Sequence, residues 1–212
     1  MGRARTIRRS ERTDGFLFLG NEMALDFLNT CPVQNGEPLE LLADFSSLLR
    51  WFQAARLLSA RDVANLRRKW GRSAGARCIV KAVCDLREML RKEVVAWERG
   101  AAVRQAAIDE LNRLMAAYPM RTRLKARRGK ASATELWFEP RQPEDLLAPL
   151  AHSAATLLAD VDRERVRKCA GCVGHFYDVS KKGTRRWCSM QLCGNRFKVA
   201  AYAARQRIRT AE

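Results

Sequence analysis

Four cysteines towards the C-terminal end stand in two close pairs. Cys169-Ala170-Gly171-Cys172 is followed, after fifteen residues, by Cys188-Ser189-Met190-Gln191-Leu192-Cys193. Thiolates grouped in this way suit the tetrahedral preference of Zn2+, with sulfur about 2.3 Å from the metal. Gly171 lets the first pair turn tightly enough for both sulfurs to point inward. A metal enclosed by four sulfurs has no open position for water, so the chemistry expected is structural and not catalytic. A segment of this size has little core of its own. Structural zinc supplies about 10–16 kcal/mol of apparent folding free energy in small finger peptides, which is what the segment lacks. His175, three residues after Cys172, is a spare donor that four thiolates make unnecessary. The remaining cysteines, Cys31, Cys78 and Cys84, are isolated and read as buried small side chains. His152 reads as an interior or interfacial residue of an apolar helix. No Ser/His/Asp set, paired carboxylates or glycine-rich phosphate loop is visible, which disfavours an enzyme.

The elements that must hold these ligands follow from the residues between and after them. Phe176, Tyr177 and Val179 alternate with polar residues, a turn follows at Lys181-Lys182-Gly183, and the chain returns through Arg185, Arg186 and Trp187. That pattern predicts a hairpin. An alanine-rich helical run follows Cys193. Knuckle, hairpin and a helix that begins at the last ligand make a treble-clef-like order. At about 100° per residue, Phe197, Ala200, Ala201, Ala204 and Ile208 share one side of this helix and Lys198, Tyr202, Arg205 and Arg209 the other. The first side is expected to pack on the zinc module. The cationic side, with its one aromatic, suits a helix laid against phosphates, and Lys181, Lys182, Arg185 and Arg186 add a second cluster. Trp187, beside a ligand, is expected in the core of the finger.

Charge supports that direction. The chain carries 40 Lys and Arg against 23 Asp and Glu, a net +17. From Arg163 to the end there are thirteen bases and three acids, so +10 of that charge lies in the last 50 residues. Such a surface attracts polyanions. Arg3, Arg5, Arg8, Arg9 and Arg12 form a basic N-terminal arm, expected to be disordered. No apolar run approaches the roughly 20 residues that span a bilayer. Arginines without a following apolar stretch do not make a secretory signal. A cytoplasmic, nucleoid-associated location without membrane contact is therefore expected.

Upstream, the pattern is mainly helical. Leu17–Thr30 predicts a short helix from about Asn21, in which Asp26 and Asn29 interrupt an apolar run. They are candidates for a ligand pocket, or for helix caps and interhelical hydrogen bonds, the reading favoured two to one. Asp44 is placed to cap a helix over 45–55 with Phe45, Leu48, Leu49 and Phe52 inward. Ser59 and Asp62 form a capping-box pattern for a helix to about Trp70. A long helix over 74–99 stops at Gly100, with a stripe of Ile79, Val83, Leu86, Leu90, Val94 and Trp97. Another helix covers 102–117. Segments 121–126 and 133–138 flank Arg127-Arg128-Gly129-Lys130 and predict a hairpin. Pro143 opens a last helix to about Leu158, with Leu146, Leu147, Leu150 and Leu157 inward.

At these residues the chain resembles the CGNR zinc-finger family. Its naming motif stands as Cys193-Gly194-Asn195-Arg196, with Phe176, Asp178, Ser180, Arg186, Trp187, Cys188, Ser189, Met190, Lys198 and Tyr202 around it. The first cysteine pair is spaced more closely than in many relatives. Gly20–Thr30, with its LDFLNT run, resembles the start of the ABATE domain that commonly precedes this finger. The resemblance implies a bacterial, stress-related transcription regulator whose finger binds DNA. Asn195 is then a helix cap or a brace for the knuckle, and Arg196 an anchor against Asp178, or both contact DNA; the two readings are level.

The fold class expected is α+β, mainly α: a helical N-terminal domain with a β-hairpin, then a treble-clef-like finger. The boundaries expected are a basic arm over 1–13, an ABATE-like domain over 14–162 and the finger over 163–212. The function expected is DNA-binding regulation through a structural Zn2+ site on Cys169, Cys172, Cys188 and Cys193. Lys181, Lys182, Arg185, Arg186, Arg196, Lys198, Tyr202, Arg205 and Arg209 are the expected nucleic-acid-binding residues. The N-terminal domain would serve sensing of a small-molecule effector or homodimerisation. RNA or ribosome association, and a protein-interaction adaptor, are the alternatives.

Overall fold

A computed structural model describes residues 12–34, 36–127 and 130–209. The chain divides into two compact units, one joining the described residues up to Glu40 with those from Asp162, the other comprising Leu41–Val161. The first unit opens with strands β1 (Arg12–Thr13) and β2 (Phe16–Leu17), helix α1 (Met23–Leu28) and strands β3 (Val33–Gln34) and β4 (Glu37–Pro38). The second holds α2 (Phe45–Ala54), α3 (Ala60–Trp70), α4 (Ala74–Glu98), α5 (Gln105–Ala117), strands β5 (Arg121–Arg127) and β6 (Lys130–Trp137), and α6 (Leu147–Asp160) after a 3-10 turn at Pro143–Leu146. The chain then returns to the first unit with β7 (Val166–Lys168), β8 (His175–Tyr177), a π-turn at Met190–Gly194 and α7 (Asn195–Arg209). The strands form four antiparallel pairs: β1–β2, β3–β4, β5–β6 and β7–β8. No helix among the described residues is long and apolar enough to cross a membrane.

Helices of the second unit begin where the sequence supplies caps. Asp44 accepts from Ser47 N at 2.7 Å and Ser47 Oγ from Asp44 N at 3.0 Å, a reciprocal box that satisfies free N–H groups of α2. The Ser47 backbone N–H, then its hydroxyl, holds the Asp44 carboxyl below its ordinary range. Ser59 and Asp62 repeat the box on α3. Gly100 closes the α4 end at φ +88°, a conformation that costs glycine little. α5 has no side-chain cap of its own. The buried Glu93 carboxylate of α4 instead accepts from Arg104 N at 3.0 Å and from Arg104 Nε at 2.6 Å, pinning its start.

The stripe expected on α4 is buried from Ile79 to Trp97, and the inward residues expected of α2 and α6 are buried too. Trp51 joins them, fully enclosed and edge-on to Phe52 at 5.6 Å between ring centroids. Cys78 departs from its expected burial. It is exposed, and Cys31 and Cys84 are half-buried.

In the first unit, two expectations change. The hairpin expected between Phe176 and Trp187 does not form. β8 pairs instead with the upstream β7, in the register Val166–Tyr177, Arg167–Phe176 and Lys168–His175, so the first cysteine pair sits in the turn of that hairpin. Residues 14–40 lie in the same compact unit as the finger. α1 begins at Met23 rather than at Asn21, whose backbone is left-handed at φ +60°. Residues 1–11 of the basic arm, and Arg128 and Gly129 of the β5–β6 turn, lie outside the described residues.

Candidate metal centre

The β7–β8 turn carries Cys169 and Cys172. Cys169 N donates to Gly174 O at 2.8 Å and Val173 N to Cys169 O at 3.1 Å, closing the knuckle. Val173 takes a left-handed backbone at φ +54°, which is strained for a β-branched residue. The second pair is set by the π-turn. Ser189 Oγ accepts from Leu192 N at 3.2 Å, and Cys193 N and Gly194 N both donate to Ser189 O. Ser189 therefore caps the π-turn, and α7 begins at Asn195, immediately after the turn that holds the fourth cysteine.

These elements bring the ligand atoms of Cys169, Cys172, Cys188 and Cys193 within 4.8 Å of one another. A tetrahedron with metal–sulfur bonds of about 2.3 Å has sulfur–sulfur edges of about 3.8 Å. Two of the observed edges are 3.6 Å (Cys172–Cys188) and 3.7 Å (Cys188–Cys193). The sulfurs thus fit a zinc ion, which would be held by all four and would tie the knuckle to the start of α7. His175 is buried and is not one of the grouped ligands.

Four packed thiols cannot all ionise by themselves. The hydrogen bond from Cys188 draws the Cys172 thiol down to about 5 against the desolvation that would raise it. The same contact pushes the Cys188 thiol up, with desolvation and the nearby Cys172 charge adding to it. Desolvation first, then the charges on Cys172 and Cys169, lifts Cys193 to about 11. A divalent cation removes this conflict by favouring four thiolates at once. Donors are in place to support the resulting negative charge: Gly171 N and Cys188 N each point at Cys169 Sγ from 3.4 Å. Arg196 Nη2 lies 3.7 Å from Cys193 Sγ, so the motif arginine faces a ligand and not Asp178. Space at Gly171 is tight: a Cβ there would lie 3.1 Å from the Cys193 Cβ, which would have to give by a few tenths of an ångström.

Asp178 organises the loop that follows β8. Its buried carboxylate accepts from Ser180 N at 2.9 Å and Arg185 N at 2.8 Å, with Arg167 Nε 3.8 Å away. Burial works to raise this acid, but the Arg185 and Ser180 hydrogen bonds outweigh it and hold it below its ordinary value. Arg165 Nη1 adds bonds to the carbonyls of Asp178 and Ser180 at 3.0 and 2.9 Å.

The N-terminal segment closes the other side. Leu19 packs with Cys169, Phe176, Cys188 and Cys193 in one buried cluster, flanked by Leu17, Cys172 and Trp187. Tyr177 N donates to Gly20 O at 2.7 Å, and Asn21 Nδ2 to Tyr177 O at 2.8 Å. Asn29 clasps the backbone of His175: its Nδ2 donates to His175 O and its Oδ1 accepts from His175 N, both at 2.9 Å. Asp26 Oδ1 accepts from Gly20 N at 2.7 Å, and Gly20 approaches α1 so closely that a Cβ would sit 2.7 Å from Asp26 N. Asp26 and Asn29, the candidates for a ligand pocket, act here as hydrogen-bonding partners: Asp26 ties Gly20 to α1, and Asn29 ties the end of α1 to the finger. The favoured reading named helix caps or interhelical hydrogen bonds; Asn29 makes its pair onto strand β8.

The candidate polyanion-binding residues divide. Lys181, Lys182, Arg186, Arg196, Lys198 and Tyr202 are exposed, Tyr202 at 60%. Arg185 is half-buried and committed to the finger, with its guanidinium 5.1 Å from the Phe176 ring centre and hydrogen-bonded to Cys188 O. The side chains of Arg205 and Arg209 lie outside the described residues, although both positions fall within α7. Phe197, expected to pack on the module, leans on Trp187 at 5.9 Å between centroids and stays 46% exposed.

Comparison with known families is consistent with this arrangement. Residues 21–161 match the ABATE family model, described as "Putative stress-induced transcription regulator", and residues 165–206 match the CGNR zinc finger. These are regulator and zinc-finger families, not enzyme families. A search of curated proteins returns no match. The ABATE match includes residues 21–40, which pack with the finger.

Proposed function

Because the chain belongs to the ABATE family and carries a CGNR zinc finger, we propose that it is a bacterial DNA-binding regulator whose zinc site fixes α7 for docking on duplex DNA. One observation carries the reading: α7 grows out of the fourth ligand, Cys193, and its first turns present Lys198 and Tyr202 to solvent. By helical spacing Arg205 and Arg209 extend that face. Fixing the helix at a metal ligand lowers the ordering cost of binding, and a cationic face attracts the phosphates. Lys181, Lys182, Arg186 and Arg196 serve as flanking phosphate ligands, and Arg185 as a brace. Such a protein works in the cytoplasm at the nucleoid.

The helical unit serves the effector or dimer role. An open cleft of about 430 Å3 between α4, α5 and α6, lined by Ile79, Leu86, Met89, Leu114 and Tyr118, supports a small-molecule effector there. The DNA reading is tested by duplex binding of Arg205→Ala/Arg209→Ala. Affinity should fall with zinc content unchanged, and wild-type binding should weaken log-linearly with salt while keeping a sequence preference near about 150 mM. Unchanged affinity would move the interface off α7. A preference for single-stranded or structured RNA would replace DNA with RNA as the partner.

A further inference from the structure

The β5–β6 ribbon of the helical unit is a second cationic surface. Arg121 to Ala126 are all exposed. The ribbon pairs with no further strand among the described residues, and its base is anchored by Phe138, whose ring lies 6.1 Å from that of Phe52 on α2. Alternation along the strands separates its two faces. Arg121, Arg123 and Lys125 share one face with their partners Trp137, Glu135 and Ala133. Thr122, Leu124, Thr134 and Leu136 share the other, where Leu124 is 74% and Leu136 50% exposed. From Arg121 to Trp137 the sequence holds six bases (Arg121, Arg123, Lys125, Arg127, Arg128, Lys130) and one acid (Glu135), a net of 6 − 1 = +5.

Nothing in the zinc site or in α7 accounts for this surface. An isolated two-stranded ribbon is marginally stable in water, so one left open on both faces is suited to a partner. A lone Glu135 ties down both Arg123, at 2.9 Å, and Lys125, at 2.9 Å, and leaves Arg121 without an acid opposite it. Arg123 is also stacked over Trp137 at 5.0 Å, which holds its guanidinium on the cationic face. Cations on one face of a strand recur every second residue, about 6.8 Å apart, which matches two axial phosphate steps on one DNA strand. The major groove of B-DNA, about 12 Å wide, admits a two-stranded ribbon, whereas that of A-form RNA is too narrow.

We propose that the β5–β6 ribbon is a second DNA-docking element, which lies in the major groove with Arg121, Arg123 and Lys125 turned towards the duplex. The choice of DNA rests on the regulator reading; the ribbon surface itself does not depend on α7. Glu135 acts as a tuning residue: it organises two cations and also repels phosphate.

The test uses the full-length, zinc-loaded protein and a labelled duplex of about 20 base pairs, read by fluorescence anisotropy across a salt series. Arg121→Ala/Arg123→Ala/Lys125→Ala removes three cations that would each neutralise a phosphate. It should flatten the slope of log K against log salt by about 2–3 and weaken binding roughly 10- to 100-fold near physiological salt. Helicity and zinc content should not change. Glu135→Gln should tighten binding severalfold, an outcome that a purely structural ion pair would not give and that stands even if the triple variant folds poorly. The ribbon proposal is overturned if the wild type binds the duplex while the triple variant keeps its affinity and slope, or if Glu135→Gln binds no tighter. It is also overturned if the wild type binds no duplex or prefers duplex RNA. The parallel Arg205→Ala/Arg209→Ala variant separates the two surfaces. Weaker binding there with the triple variant intact leaves α7 and removes the ribbon, and the reverse result removes α7 and leaves the ribbon.

Discussion

Replacing Asn29 by alanine should loosen the zinc site although Asn29 is not a ligand. Its amide makes two hydrogen bonds to the His175 backbone, each 2.9 Å long, inside a buried part of the finger. Truncation leaves the His175 N–H and C=O without these partners. A buried polar group left unsatisfied costs about 1–3 kcal/mol, so two such groups cost roughly 2–4 kcal/mol after partial relaxation. In a segment whose folding is coupled to metal binding, that loss appears as weaker zinc affinity. At about 1.4 kcal/mol per factor of ten, it amounts to roughly 30- to 700-fold in the dissociation constant for zinc. Competition with a chromophoric chelator reads this directly on the full-length chain. Asn29→Asp is the informative control: it keeps the acceptor for His175 N but sets a carboxylate oxygen against His175 O, so it should also bind zinc weakly. If Asn29→Ala binds zinc as tightly as the wild type, residues 20–29 do not form one folding unit with the finger, and the reasoning fails.

Other outcomes follow from the same geometry. Val173→Gly should tighten zinc binding, because relief of a β-branched residue at φ +54° exceeds the added chain entropy by up to about 1 kcal/mol; an unchanged or lower affinity in the chelator assay would show that the knuckle is not strained there. Zinc affinity should rise with pH. With Cys193 held up to about 11 and Cys188 also raised, at least two protons leave on binding between about pH 6 and 10. A slope of log affinity against pH well below about two in that window would contradict the protonation states assigned to the thiols. Asp178→Asn should destabilise the finger by roughly 1–3 kcal/mol in chemical denaturation near neutral pH. The native acid lies below its ordinary value. Its contribution is therefore complete above the unfolded pKa of about 3.9 and fades as pH falls through the lower folded value. Equal stability of the two proteins at pH 7 would show that the Arg185 and Ser180 bonds are dispensable.

Much of this architecture was legible in the sequence, for local reasons. Asp44, Ser59 and Gly100 act on backbone within a few residues of themselves, and the α4 stripe needs only the helical period. The four ligands were legible because close cysteine pairs bring their own chemistry. What escaped lies far apart in the chain. β7 is three residues of Val-Arg-Lys with no alternation long enough to show a strand, so the local pattern offers β8 only the downstream Arg185–Trp187 as a partner. Asn29 and His175 are 146 residues apart. Two polar residues in an apolar run signal an internal partner, but nothing local says that it is the finger. Arg185 was indistinguishable from Arg186 by composition; only Asp178, Phe176 and Cys188 turn one inward and leave the other exposed.

The account turns on whether Cys169, Cys172, Cys188 and Cys193 hold one zinc ion together. Zinc-edge X-ray absorption on the reduced full-length protein measures this directly. The expected result is one zinc per chain in a single shell of four sulfurs at about 2.3 Å. A shell containing nitrogen or oxygen, or a purified chain that retains no zinc, would contradict it.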